Sequence, residues 1–221
     1  MNQSRGEGYD VVIRNGTIYD GSGSPPFVGD IAIDGDAIGL VGSVGTARGE
    51  LEIDASGLAV APGLINMLSH AMASLIVDGR SQSDIRQGVT LEVFGEVSLG
   101  PLNAALREEF LQRWGDIKFD IPWTTLAESL DHLVARGIST NVASFVSATT
   151  VRTYVLGHQN RQPSEVELDQ LCNLVREAMK GGALGVASSL IYTPATYAAT
   201  DDLIALPRLP GQYGGPCAPP T

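Results

Sequence analysis

The chain has little cysteine, little positive charge and no long apolar run. Its two cysteines, Cys172 and Cys217, have no metal-ligand spacing between them. That excludes a disulfide scaffold and points to a reducing compartment. Lys plus Arg number 14 against 25 Asp plus Glu, a formal charge of −11. So acidic a chain repels phosphate backbones, and nucleic acid is not an expected partner. The longest apolar stretch, Gly57 to Leu68, is interrupted by Pro62 and Asn66. It falls short of the ~18 residues a membrane span needs. Met1 to Gly8 is polar, without the apolar core of a signal peptide. The expectation is a soluble, cytoplasmic protein with no membrane partner. A phosphate loop is also missing, since Gly21-Ser22-Gly23 runs into two prolines rather than a helix. Neither cysteine has a base beside it for nucleophilic work.

What is present reads as globular. Apolar residues make up 43% of 221 and charged residues 18%, and a chain of this length buries roughly 70% of its unfolded surface. Residues 1–57 hold many short apolar runs: Val11 to Ile13, Thr17 to Tyr19, then Ile31, Ile33, Ile38 and Leu40. Turn residues separate them, with Asn15-Gly16 as a hairpin dipeptide and Asp34-Gly35-Asp36 as a second turn. This pattern predicts part of a small β-sandwich.

From residue 58 the grammar alternates strands with helices. Leu58 to Leu68 reads as a strand buried on both faces. Val89 to Phe94, Thr140 to Val146 and Ala183 to Ser188 are further strand candidates. Thr125 and Glu128 have capping-box spacing ahead of Leu126, Leu130 and Leu133, with Gly137 as the stop. Ser164 and Glu167 repeat the box, and Gly181-Gly182 ends that helix. The expected fold class is α/β: a partial (β/α)8 TIM-type barrel of about four strands over residues 58–206. Residues 207–221 carry five of the twelve prolines. They read as an irregular Pro/Gly-rich tail, either flexible or foreign to the sequence before Leu206.

Chemistry is expected where barrel strands end, at their C-terminal tips. Three segments place an ionisable or hydroxylated residue there. Ala61 to Leu68 leads into Ser69-His70, Val89 to Phe94 into Gly95-Glu96, and Gly182 to Ala187 into Ser188, Ser189 and Tyr192. His70 and Glu96 are candidate metal ligands, and Tyr192 a candidate substrate-binding hydroxyl. Each has a plainer alternative. His70 could bond nearby backbone, Glu96 could pair with Arg80 or Arg86, and Tyr192 could pack at the rim. His132 reads as a surface residue of its helix, and His158 as part of a polar loop.

Several phrases together resemble a known family. They are Tyr9-Asp10-Val11-Val12-Ile13-Arg14-Asn15-Gly16, Ile53-Asp54-Ala55-Ser56-Gly57, Ala61-Pro62-Gly63-Leu64-Ile65, Arg86-Gln87-Gly88-Val89-Thr90 and Gly182-Ala183-Leu184-Gly185. Over residues 9–206 the chain resembles the N-acyl-D-amino-acid deacylase (D-aminoacylase) branch of the amidohydrolases. The resemblance implies a metal-dependent barrel, with zinc as the expected metal. It implies hydrolysis of the non-peptide amide of small N-acyl-D-amino acids. It also implies departures. The family's first strand ends in Asp-X-His-X-His, where this chain has Asn66, Leu68 and His70; the second often ends in cysteine, where this chain has Glu96. The family's later metal histidines and its general base lie beyond residue 206. The chain is therefore expected to be a fragment, inactive alone, with open sheet edges that favour self-association. The rival expectations are a non-catalytic binding module, a metal site completed by a partner chain, and an amidohydrolase acting on a cyclic amide.

Overall fold

A computed structural model describes residues 8–206 and 208–218. The chain divides into two compact units, the first reaching Gly63 and the second starting at Leu64. The sequence reading set that boundary at residue 57.

The first unit is a single five-stranded sheet. Its strands are β1 (Gly8–Ile18), β2 (Phe27–Asp34), β3 (Ala37–Gly42), β4 (Arg48–Asp54) and β5 (Ala59–Val60). Their order is β3-β2-β1-β4, with β5 also pairing β1. β2 runs antiparallel to β1 and β3, whereas β4 and β5 run parallel to β1. The described residues of this unit form one sheet. Alternation sets its two faces. Val12 and Ala32 are fully buried and pack with Val44, Leu40 and Tyr9. The Asp34-Gly35-Asp36 turn does join β2 to β3. Asn15-Gly16 is not a hairpin turn. It lies inside β1, where the register with β2 slips between Ile13 and Gly16. Asn15 adopts a left-handed φ of 60° and its N–H donates to the Asp30 carboxylate at 3.0 Å. The same dipeptide chemistry that closes a turn here accommodates a bulge.

The second unit begins with β6 (Leu64–Asn66), α1 (Met72–Val77), α2 (Gln82–Ile85) and β7 (Val89–Phe94). There follow α3 (Ala104–Arg113), α4 (Leu126–Arg136), β8 (Asn141–Ser144), β9 (Val146–Ser147), α5 (Ala148–Leu156) and α6 (Glu165–Lys180). The last elements are β10 (Val186–Ala187), α7 (Thr200–Ala205), α8 (Arg208–Gly211) and β11 (Cys217–Ala218). Two open parallel sheets result, β6-β7-β8 and β9-β10-β11. Only Phe145 separates β8 from β9. Its N–H donates to Phe94 O at 2.8 Å, and the next N–H, of Val146, donates to Gly185 O at 2.9 Å. One stretch of chain thus serves both sheets, turning from one neighbour to the other.

Both capping boxes form as the spacing requires. Thr125 with Glu128 opens α4, and Ser164 with Glu167 opens α6. Leu171 and Val175 of α6 bury against Val146, Val186, Leu206 and Leu209. Leu133 of α4 buries against Phe94, Leu99, Trp123 and Leu75.

Two strand expectations change. Leu58 to Leu68 is not one buried strand, because Pro62 and Gly63 divide it between the two units. Its β6 half is also exposed, Leu64 at 58% and Ile65 at 55%. β6 ends its sheet, so one side has no neighbour among the described residues. The segment after Leu206 is structured: α8 contributes Leu209 to the core around α6, and β11 pairs in parallel with β10. Pro207 and residues 219–221 lie outside the described residues.

Candidate functional site

The turn after β6 is fixed before it reaches His70. Ser69 N–H donates to Val93 O at 2.9 Å, and Ser69 Oγ donates to Glu92 Oε2 at 2.6 Å. Glu92 is fully buried on β7 and also accepts from Ser81 Oγ at 2.8 Å and Thr140 Oγ1 at 2.9 Å. One carboxyl group thus ties together the turn after β6, the start of α2 and the turn before β8. A lone acidic residue inside the apolar run Val89 to Phe94 is the sequence signal for it. His70, projecting beyond this anchor, keeps its side chain 66% exposed.

Glu96 follows β7 after Gly95. A Cβ at Gly95 would meet Ala187 at 3.2 Å, a tight approach that glycine leaves open. Ser147 Oγ donates to Glu96 O at 2.6 Å, which fixes the backbone beneath the carboxylate. The Glu96 carboxylate stands 3.9 Å from His70 Nε2. The arginines weighed as its partners are engaged elsewhere. Arg80 pairs with Asp78 at 2.7 Å, and Arg86 Nε donates to Gln82 Oε1 at 3.1 Å. Tyr192 sits on the connection after β10, with its N–H donating to Ser189 O at 3.3 Å and its ring exposed.

His70, Glu96 and Tyr192 line one cavity of about 430 Å³. Its walls come from four connections, those after β6, β7, β9 and β10. The one after β7 carries α3, and the one after β9 carries α5. Asn103 Nδ2 joins them by donating to Tyr154 O at 3.1 Å. Leu102, Leu106 and Phe110 give the cavity an apolar side, and Thr149, Thr150 and Thr153 give it hydroxyls.

Three further residues line this cavity: Glu109, Arg113 and His158. His158 Nε2 lies 2.9 Å from Glu109 Oε2, and Arg113 Nη2 lies 3.7 Å from Glu109 Oε1. The Glu109–Arg113 spacing was visible as a helical i,i+4 pair. His158, set aside as a loop residue, is 49 positions from Glu109, and nothing local marks the meeting. His132 packs its ring 4.8 Å from that of Trp123 and is not among the residues lining the cavity.

Metal-binding capacity is partial. His70 and Glu96 offer one nitrogen and one carboxylate donor. Among the described residues no three His, Cys, Asp or Glu gather closely enough to hold a metal ion. A catalytic zinc site takes three protein ligands and an open position. The residues present do not fit such a site by themselves.

Parallel strands alternating with helices, with ionisable residues beyond the strand ends facing a cavity, define an α/β architecture. Comparison with known proteins narrows the class. The chain is 32% identical over 220 residues to the D-aminoacylase of Alcaligenes xylosoxydans xylosoxydans, matching 97% of this chain and 45% of that protein. A solved D-aminoacylase, studied for its binuclear metal centre, superposes with a TM-score of 0.84 at 28% identity. That match covers 95% of this chain and 44% of the other. The N-acyl-D-glutamate deacylase of Bordetella bronchiseptica, solved with zinc and a phosphonate inhibitor, gives 0.83 at 24% identity over 96% and 45% of the two chains. It shows likeness of fold. No family model matches. Over nearly its whole length the chain is similar to the D-aminoacylase branch of the amidohydrolase superfamily, and it spans about 45% of the length of the D-aminoacylase it matches. Only 3% of the chain lies outside that match, fewer residues than 207–221 contains. The match therefore reaches into residues 207–221.

Proposed function

We propose that this chain is part of a hydrolase that cleaves the amide carbon–nitrogen bond of N-acyl-D-amino acids. The observation that carries the reading is the convergence of His70, Glu96 and Tyr192, from three separate strand ends, on one cavity. The similarity to D-aminoacylase over nearly the whole chain supports it. We take the parallel strands from β6 to β11 as a portion of a (β/α)8 barrel, supported by neighbours that follow chain order and by intervening helices.

In this reading a zinc centre of the whole enzyme would supply Lewis-acid chemistry at the scissile amide. His70 and Glu96 supply two donors toward that centre and do not complete it. Tyr192 offers its hydroxyl to the substrate carboxylate. The apolar side at Leu102, Leu106 and Phe110 excludes water from the acyl or side-chain carbons. The chain alone should not hydrolyse amides and should retain well under one zinc per molecule after dialysis. The missing third donor also favours a second reading, a binding module without catalysis.

Calorimetric titration of the full chain with N-acetyl-D-methionine and its L enantiomer tests the substrate class. The D form should bind and shift the ring resonances of His70 and Tyr192, whereas the L form should bind more weakly. Equal binding of both, or neither, would remove the D-amino-acid reading. Zinc-dependent hydrolysis of N-acetyl-D-methionine by the chain alone would refute the incomplete centre.

A further inference from the structure

The cavity has a second polar cluster, on the wall built by α3 and the end of α5. In a protein of formal charge −11, Arg113 is the single Lys or Arg among the residues lining this cavity. Its only ion-pair partner there, Glu109, lies 3.7 Å away, beyond ordinary hydrogen-bond distance. The guanidinium fork therefore keeps donors for a ligand. Glu109 also holds His158 at 2.9 Å, which sets the imidazole on the same wall as Arg113.

The cluster is built, not left to loop mobility. Arg113 and Glu109 stand one turn apart on α3. His158 follows the end of α5, and the loop after it is pinned from inside: buried Arg152 donates to Arg161 O at 2.6 Å and Gln159 O at 3.4 Å. Leu106 and Phe110 lie on the same helix as Arg113 and line the same cavity. A ligand crossing this wall meets apolar surface and then a cation.

We propose that Arg113, with His158, is a subsite for a second carboxylate, so that the preferred substrates are N-acyl-D-amino acids with an acidic side chain. The proposal rests on the function proposed above. Tyr192 takes the carboxylate common to every such substrate, the apolar wall takes the side-chain methylenes, and Arg113 takes the terminal carboxylate. Arginine suits that role because its planar fork matches a carboxylate in two bonds.

The test uses the full chain and three probes: N-acetyl-D-glutamate, its neutral isostere N-acetyl-D-glutamine, and N-acetyl-D-methionine. Glutamate should bind about tenfold more tightly than glutamine, the size expected of one charge-assisted pair. It should also shift the His158 ring resonances. In Arg113→Gln the ratio should fall to about one, with glutamine binding unchanged; Arg113→Lys should recover part of it. Arg113 is largely exposed, and an unaltered circular dichroism spectrum would establish that the variant folds. If glutamine and methionine derivatives bind but glutamate has no advantage, or the advantage survives Arg113→Gln, this subsite is refuted while the hydrolase reading stands. If none of the three binds, both are refuted.

Discussion

Gly185→Ala tests whether the chain beyond Leu206 belongs to the sheet. A Cβ at Gly185 would stand 1.8 Å from the carbonyl oxygen of Pro216 and 2.9 Å from its carbonyl carbon. Both atoms are backbone, so no rotamer change relieves the overlap. Contacts under about 3.0 Å are not tolerated, and the two segments must part by roughly 1.2 Å. A ladder bond of about 2.9 Å stretched that far is no longer a hydrogen bond. The pairs at risk are Val186 with Cys217 and Ala187 with Ala218. At about 0.5–1.5 kcal/mol net for each bond, the loss is roughly 1–3 kcal/mol. Leu209 opposes wider detachment. It is buried in the core around α6, and full burial of a leucine side chain contributes about 1.5–3 kcal/mol. The variant should therefore release β11 and keep α8 docked. Amide hydrogen exchange would read this directly: protection falls at residues 217 and 218 and persists at Leu209. Unchanged protection at both strand residues in the folded variant would refute the packing argument. Simultaneous loss at Leu209 would show that α8 depends on the strand.

Three other outcomes follow from the same coordinates. Glu92→Leu leaves the buried hydroxyls of Ser69 and Thr140 without their acceptor, at about 1–3 kcal/mol each; the denaturant midpoint should fall accordingly, and an unchanged midpoint would contradict the role given to Glu92. The Arg161 guanidinium and the Ser164 N–H hold the Glu167 carboxyl down at about 2. A depressed carboxyl stabilises the fold fully above its ordinary value near 4.5 and loses that contribution as pH falls toward 2. Glu167→Gln should thus lower the melting temperature at pH 7 and converge with the parent at pH 2–3; a constant difference across that range would sink the assignment. Finally, β6 and β11 are edge strands among the described residues, and β6 exposes Leu64 and Ile65. We propose that the chain self-associates through such edges at micromolar concentration, and a monodisperse monomer by light scattering would count against it.

Local signals were legible where one physical rule decided the outcome. α4 and α6 each had a capping box, an apolar stripe and a terminal glycine, and each formed where those marks stood. β7 occupies Val89 to Phe94, the run read as a strand. Failures came where two rules competed. Asn15-Gly16 satisfies the chemistry of both a turn and a bulge, and cross-strand pairing with β2 selected the bulge. Leu58 to Leu68 has the hydrophobicity of a buried strand, but Pro62 cannot donate to a ladder, and the run split around it. The prolines after Leu206 suggested disorder. Pro210 instead packs inside the one-turn helix α8, whose neighbour Leu209 fills a gap in the core.

The site divides along the same line. His70, Glu96 and Tyr192 were visible because barrel logic ties chemistry to the residues just after a strand, and strands can be read locally. The opposite wall follows no such rule. Glu109 and Arg113 ride on a helix inserted in one connection, and His158 follows a helix inserted in another. Their meeting depends on Asn103 reaching Tyr154 O and on Arg152 pinning the loop from within. None of these contacts leaves a periodic mark in the sequence. In this architecture the strand ends set where the reacting bond must lie, and the inserted connections set what else the substrate touches. Reading strands therefore exposes the reaction class first. On the proposed function, choice among substrates sits with Arg113, His158 and Glu109, which only the folded chain brings together.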